Sequence, residues 1–443
     1  MKKKYFGTDG IRGPYKKGFI DENLAFCLGL AIGDFLQHKN SNQGCVLLGR
    51  DTRPSGDKLQ AACSAGLQNH GLKALDAGVI PTPALAYGVQ HLSAQMGVMV
   101  TASHNPASDN GLKLFSQTGS KLSVLEETEI EKMIHLRMQA GQKPNLVTVE
   151  QVGIRELYIS FLKTFFCQNS LNDMRIVLDT ANGATAKTSP EIFSYLGAEI
   201  IAINQGNGTI NFESGSEHPQ NLQNLVLENS ATLGIAHDGD GDRVIFVDAN
   251  GKVIDGDKIL GLLAIEADRM GKLNQKGFVA TIHSNSGLDK ALATKGINLQ
   301  RASVGDRNVA TMMNKLGCNW GGESSGHIIA KDYLPTGDGL FSAAFIASAV
   351  KKNSKSIEEL TDWIKLRPSK SVSIDVREKI PLEENIEVQS QLKEAQQRLR
   401  ERGRILLRYS GTEPKIRLLV ESEDSSLLEK IFIDMKTFLE KTL

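Results

Sequence analysis

The sequence predicts an α/β protein: three consecutive, similar α/β layer domains and then a smaller α+β domain. Three observations carry this. Apolar strand-like runs alternate with helix-like segments in three successive rounds. The pattern changes after Arg367-Pro368-Ser369-Lys370, where a half-exposed strand and a long charged helix take over. The length of 443 residues suits about three domains, or four small ones.

In the first round (1–150), Cys45 to Gly49 reads as a strand and Lys58 to Asn69 as a helix. Lys73 to Ala77 and Met96 to Val100 read as strands, Glu126 to Met138 as a helix, and Gly141 to Pro144 as a breaker. The second round (151–255) has strands at Arg175–Asp179, Ala198–Ile203, Leu233–Ala236 and Val244–Val247, with a helix from Lys187 to Leu196. In the third (256–368), strands at Phe278–Ile282 and Leu299–Ala302 alternate with helices at Ile259–Met270, Gly287–Thr294 and Val309–Leu316. No short solenoid period relates the rounds. The last part (369–443) offers strands at Ser371–Val376, Ile405–Arg408 and Ile416–Val420, and helices at about Glu387–Glu401 and Leu427–Leu439. Residues 367–370 suit a hinge.

Composition narrows the function classes. Lys+Arg and Asp+Glu both number 51, so no global electrostatic footprint for nucleic acid or anionic membrane exists. Five scattered cysteines without a C-x-x-C suit reduced, mostly buried thiols of a cytoplasmic protein. Met1-Lys2-Lys3-Lys4 lacks a following apolar segment, and no 18-residue apolar run predicts a membrane span. The 42 glycines exceed average usage and cluster in short loops, which suits close backbone approach to small anionic ligands.

Asp238-Gly239-Asp240-Gly241-Asp242-Arg243 is the most informative stretch. In a straight strand its carboxylates would sit ~6.6 Å apart, too far to grip one small cation. Its glycines let the backbone curl and gather them, and close carboxylates favour a divalent cation. An EF-hand is excluded, because Arg243 stands where the loop needs glycine and Ala249 where it needs glutamate. A solvated acidic turn is the bland alternative.

Four further loops carry chemistry. Thr101-Ala102-Ser103-His104-Asn105-Pro106 ends a strand and can expose Ser103 as a nucleophile beside His104; an ordinary strand-to-turn transition is the alternative. Lys113 follows and can return to the same mouth or remain a solvent lysine. Gly7 to Gly13 sets three glycines around Arg12, which suits a phosphoryl clamp or a tight hairpin. Gly321 to His327 offers Glu323, Ser324, Ser325 and His327, groups able to read hydroxylated rings, or else a polar turn. Arg408-Tyr409-Ser410-Gly411-Thr412, with Lys415 and Arg417 beyond, has the composition of a phosphate nest on a hairpin.

Together, in this order, these loops resemble the α-D-phosphohexomutase superfamily over nearly the whole chain. Lys4 to Gly13, Gly49 to Gly56 and Gly78 to Pro83 look most like its bacterial phosphoglucosamine mutase branch. Ser324 departs from that branch, which usually carries glutamine there. The resemblance implies four domains around a central cleft, each offering one loop. It implies a phosphoserine at Ser103, and one Mg²⁺ held by Asp238, Asp240, Asp242 and a phosphoserine oxygen. Glu323 and Ser325 would read sugar hydroxyls. Arg408, Ser410, Gly411 and Thr412, with Arg417 beside them, would hold the non-reacting phosphate. Arg12, His104, Lys113, Arg243 and His327 match positions lining the reacting end.

The expected reaction interconverts glucosamine 6-phosphate and glucosamine 1-phosphate through a 1,6-bisphosphate, supplying a cell-wall amino-sugar precursor. The alternatives are a phosphomannomutase/phosphoglucomutase, a metal-dependent sugar phosphatase, and a sugar-phosphate sensor without catalysis. The expected partner is a small phosphosugar, not nucleic acid or membrane, and the chain is expected to be a monomer or homodimer.

Overall fold

The computed structural model describes residues 4–7, 9–39, 44–141, 149–410 and 414–442. Four sheets follow one another along the chain. The first has seven strands: Phe6–Gly7, Gly10–Pro14, Asp109–Ser116, Met96–Val100, Cys45–Arg50, Lys73–Val79 and Glu150–Gln151, in that spatial order. The second and third have four strands each, over Arg175–Val247 and Gly277–Ala330, and the fourth has three, over Ser369–Ser422. The α/β class and the three-plus-one architecture therefore stand as the sequence predicts. The first sheet is larger than its two successors because antiparallel strands extend one edge.

The periodic elements form where expected, including Gly56–Asn69, Val124–Ala140, Gly256–Arg269, Ser286–Ala293, Asp306–Leu316 and Ile386–Leu399. Val124–Ala140 begins with a full capping box, Ser123 paired reciprocally with Glu126. The helices the sequence reading leaves unmarked include Glu22–His38 and Gly339–Asn353. Both are buried around most of their circumference, so neither shows a clear polar face.

One apolar core runs from Leu47 to Ile364 and is shared by the first three units. Inside it the Tyr158 hydroxyl donates to both oxygens of Asp338, at 2.9 and 2.8 Å, joining the second unit to the third. The fourth unit keeps its own core, whose buried members all lie between Ile374 and Leu439. It meets the third through polar contacts. Asn285 grips the backbone of Arg367 on both sides, at 2.9 Å each. Glu421 accepts from the Ser286 amide of the third unit at 2.9 Å, and is held in place by Arg404 of its own unit at 2.9 and 2.7 Å. All five cysteines are free. No helix among the described residues is long and apolar enough to cross a membrane.

Candidate active site

The acidic loop is the connection of a hairpin, between strands Leu233–His237 and Val244–Val247. One oxygen from each of Asp238, Asp240 and Asp242 lies within 4.8 Å of the others, and all three residues are buried. The two glycines work differently. Gly241 adopts φ +72°, a conformation costly for other residues, and so makes the curl. Gly239 instead permits close approach, since a Cβ there would sit 2.7 Å from the Ser103 carbonyl oxygen. The loop is tied to each of the first three units: Thr82 N–H donates to Asp240 O at 2.8 Å, Ala184 N–H to Gly239 O at 2.8 Å, and Gly339 N–H to Gly241 O at 3.1 Å.

Ser103 follows the central strand Met96–Val100 and holds φ +53°, a strained choice for serine. Its hydroxyl donates to Asp238 Oδ2 at 2.6 Å, across 135 residues of sequence. The strain is held from behind. Arg53 Nη2 and Asn211 Nδ2 donate to the Ser103 carbonyl at 2.8 and 2.7 Å. Arg53 is itself locked in a fully buried ion pair with Asp51, and Asp51 accepts from Thr101 at 2.6 Å.

Lys113 is not a solvent lysine. It is 1 % exposed and donates to Asp240 and Asp242 at 2.7 and 2.9 Å. Burial opposes its charge, but the two carboxylates outweigh burial and raise its pKa. Burial likewise opposes ionisation of Asp242, yet Lys113, His327 and Arg243 hold it well below the usual range. Asp240 is also held low, chiefly by Lys113 against burial and Asp242. Asp238 goes the other way, raised well above normal by burial and by its two neighbours. Oδ1 of Asp240 and Oδ1 of Asp242 are buried without a hydrogen-bond partner. Buried orphan carboxylate oxygens in a three-carboxylate cluster fit a hard divalent cation.

The remaining residues of this end converge as expected. Arg12 sits on strand Gly10–Pro14, opposite Gly111, and is bonded to Asp9. Arg12 and Arg243 both feel the charges of Asp238, Asp240 or Asp242, and Arg243 also reaches Glu217 at 3.6 Å. His104 Nδ1 lies 3.5 Å from Ser103 Oγ. Burial, then Arg243 and Arg12, push its pKa down to about 4, so the ring is neutral near pH 7. His327 lies between Asp242, at 3.6 Å, and Asp306, at 3.3 Å. Burial disfavours its cation, but these carboxylates overcome burial and raise its pKa. Lys121 bridges Asp9 of the first unit and Asp306 of the third.

Glu323 and Ser325 lie on the hairpin loop between Trp320–Gly322 and Ile328–Ala330. Glu323 accepts from the Gly305 amide at 2.9 Å and is half-buried, while Ser325 is exposed. Val244 N–H donates to Gly326 O at 3.1 Å, so the metal-type and sugar-type loops are stitched together. In the fourth unit, Arg408 and Arg417 stand directly opposite on paired strands. Like charges in that position destabilise a sheet unless an anion joins them. The Ser410 amide donates to Lys415 O at 2.8 Å, and Lys379 Nζ donates to Ser410 O at 2.7 Å. Gly411 and Thr412 lie outside the described residues.

Sequence reading missed Asp51, Arg53, Thr82, Asn211, Asp306 and Lys121 as site-building residues. Asp51, Arg53 and Thr82 fall within the segments that carried the branch resemblance, the one available signal.

Comparison with known proteins agrees along the whole chain. The phosphoglucomutase/phosphomannomutase family models match in order: alpha/beta/alpha domain I at residues 3–140, domain II at 156–251, domain III at 255–366 and the C-terminal domain at 372–437. A phosphoglucosamine mutase of Mesorhizobium japonicum is 41% identical over 448 residues, covering 100% of this chain and 99% of that protein. A phosphoglucomutase/phosphomannomutase family protein of Burkholderia thailandensis shares the fold, with TM-score 0.81 and 22% identity over 98% of this chain and 96% of that one. So does an Aspergillus fumigatus N-acetylphosphoglucosamine mutase solved with GlcNAc-6P and magnesium, with TM-score 0.67 and 16% identity over 99% and 96%. The chain belongs to the phosphoglucomutase/phosphomannomutase family of the α-D-phosphohexomutase superfamily, on its phosphoglucosamine mutase branch, and is an isomerase.

Proposed function

We propose that the chain interconverts glucosamine 6-phosphate and glucosamine 1-phosphate through a phosphorylated Ser103 and a bound 1,6-bisphosphate. The observation that carries this reading is the 2.6 Å contact between the Ser103 hydroxyl and Asp238 of the buried triad. Asp238, Asp240 and Asp242, with a phosphoserine oxygen, would hold one Mg²⁺. That ion would neutralise charge on the transferring phosphoryl group and improve the serine oxygen as a leaving group.

In the first half-reaction O1 of the sugar attacks phosphorus, the P–Oγ bond breaks, and Ser103 Oγ takes up a proton as O1 loses one. The 1,6-bisphosphate then turns over in the cleft, and Ser103 Oγ attacks the 6-phosphoryl group. Lys113 and His327, whose pKa values the neighbouring carboxylates raise against burial, are the groups proposed for these transfers, one donating its proton to Ser103 Oγ from its cationic form and the other accepting the O1 proton in its neutral form. Arg12 and Arg243 clamp the phosphoryl oxygens, and neutral His104 offers a hydrogen bond beside Ser103. Glu323 and Ser325 read the sugar hydroxyls. Arg408, Ser410, Gly411, Thr412 and Arg417 hold the phosphate that is not reacting. The proposed location is the cytoplasm, as a monomer or homodimer.

Side-by-side turnover of glucosamine, glucose and mannose 6-phosphates tests the reading. The expected order places glucosamine 6-phosphate first, with no matching release of inorganic phosphate. Preference for mannose or glucose would move the chain to the phosphomannomutase/phosphoglucomutase reading. Stoichiometric inorganic phosphate would make it a phosphatase.

A further inference from the structure

The strand Gly277–Thr281 of the third unit runs into a turn that places His283 against the fourth. Arg408 donates its Nε–H to His283 Nε2 at 2.7 Å, while its Nη1 donates to the Tyr409 carbonyl at 3.2 Å. The guanidinium plane is thereby fixed from two sides. Other contacts between these units, such as Lys290 with Glu423 and Arg367 with Glu423, join opposite charges. His283 does not. Burial first, then Arg408, Arg417 and Arg404, push its pKa down to about 4, against the opposing pull of Glu421. Near pH 7 the ring is uncharged, with its proton on Nδ1 and a lone pair on Nε2.

That choice of partner has a physical consequence. A carboxylate at this place would orient Arg408 equally well but would cancel the positive charge an anion needs. A lysine would add charge but could not accept the Nε–H. A neutral imidazole orients the guanidinium and leaves its charge available.

We propose that His283 is a positioning residue for the substrate phosphate: it aims Arg408 at the non-reacting phosphate and latches the fourth unit onto the third. This rests on the reading of Arg408 as a phosphate ligand.

The test uses the full chain carrying Ser103→Ala, which binds without turnover, with glucosamine 6-phosphate as titrant. His283→Ala is expected to weaken binding about tenfold, the loss of one charge-assisted hydrogen bond. His283→Gln, which keeps an acceptor, is expected to stay within about threefold of the parent. His283→Ala added to Arg408→Ala is expected to weaken binding no further than Arg408→Ala alone, since both remove one linked unit. Binding within about twofold for His283→Ala, or full additivity with Arg408→Ala, would overturn the proposal. A second arm needs no ligand. The imidazole NMR signals of His283, assigned by their absence in His283→Gln, should be those of a neutral ring down to about pH 5. In Arg408→Ala the ring should titrate closer to the ordinary histidine range. Ordinary titration of His283 in the parent overturns the proposal as well. Failure of the parent to bind any hexose phosphate would count against the functional reading, and the ligand-free arm would still decide the role of His283.

Discussion

Ser103 lies where three units that share one apolar core meet, whereas Arg408 lies on a unit whose core is entirely its own. The first region is dry and cross-linked. Ser103, Lys113, Asp238, Asp240, Asp242 and His327 are all buried, and backbone or side-chain bonds from each of the three units converge on the acidic loop. The second region is half-exposed and reached through the linker at Arg367 and a few polar contacts. The contrast matches two tasks. Phosphoryl transfer needs preorganised charge and exclusion of water. A sugar that must present both ends in turn needs a grip that can release, and a unit with a separate core can supply that motion.

Substitutions should separate the two regions by their kinetic signature. The largest effect is expected for Ser103→Ala, with turnover reduced at least ~10³-fold and glucosamine 6-phosphate still bound. Retention of wild-type turnover would remove Ser103 from the chemistry. Next is Asp240→Asn, or removal of divalent metal by a chelator. Each should lower kcat by ~10²- to 10³-fold with little change in KM, and Mg²⁺ should restore only the chelated wild type. Arg408→Ala should show the opposite signature, raising KM ~10- to 100-fold with a smaller change in kcat. A fall in kcat alone would erase the distinction between the regions.

Stability sharpens the comparison from another side. In metal-free protein, Lys113→Met leaves Asp240 and Asp242 without their shared cation. Breaking such a buried pair costs about 3 kcal/mol or more, which denaturant unfolding would detect. Added Mg²⁺ should recover much of that loss if the triad binds it. The smallest effect concerns pH. His283 has a folded-state pKa of about 4 against an ordinary 6.5, so the unfolded chain binds more protons between those values. Its contribution is therefore present above pH 6.5 and is lost as pH falls toward 4. The thermal midpoint of wild type should drop more over that window than that of His283→Gln. Equal slopes would contradict the latch.

Much of this was legible in the sequence, for a physical reason. Loops that do chemistry carry compositions a packing loop does not need. Three aspartates spaced by glycines, or a serine among turn-formers at the end of an apolar strand, stand out locally. The groups that hold those loops do not. Arg53 looks like any surface arginine until its guanidinium is found donating to the carbonyls of Ser103 and Asn105, 50 and 52 residues later. Thr82 looks like a helix start, which it also is, before its hydroxyl is seen 2.7 Å from Asp240. Such partners are set by tertiary contact, which spacing does not encode. Periodicity had the same limit. Ser286–Ala293 and Asp306–Leu316 have one buried face and were readable, whereas Gly339–Asn353 is buried almost all round and offered no contrast.

The proposed role of Ser103, carrying the phosphoryl group between the two ends of the sugar, can be read out by incubating wild type and Ser103→Ala with glucosamine 1,6-bisphosphate labelled in its phosphoryl groups. About one label per wild-type chain is expected, on the peptide containing Ser103, with transfer of that label to added glucosamine 6-phosphate. None is expected on Ser103→Ala. Label on another residue, or label lost from wild type as inorganic phosphate faster than it reaches sugar, would contradict it.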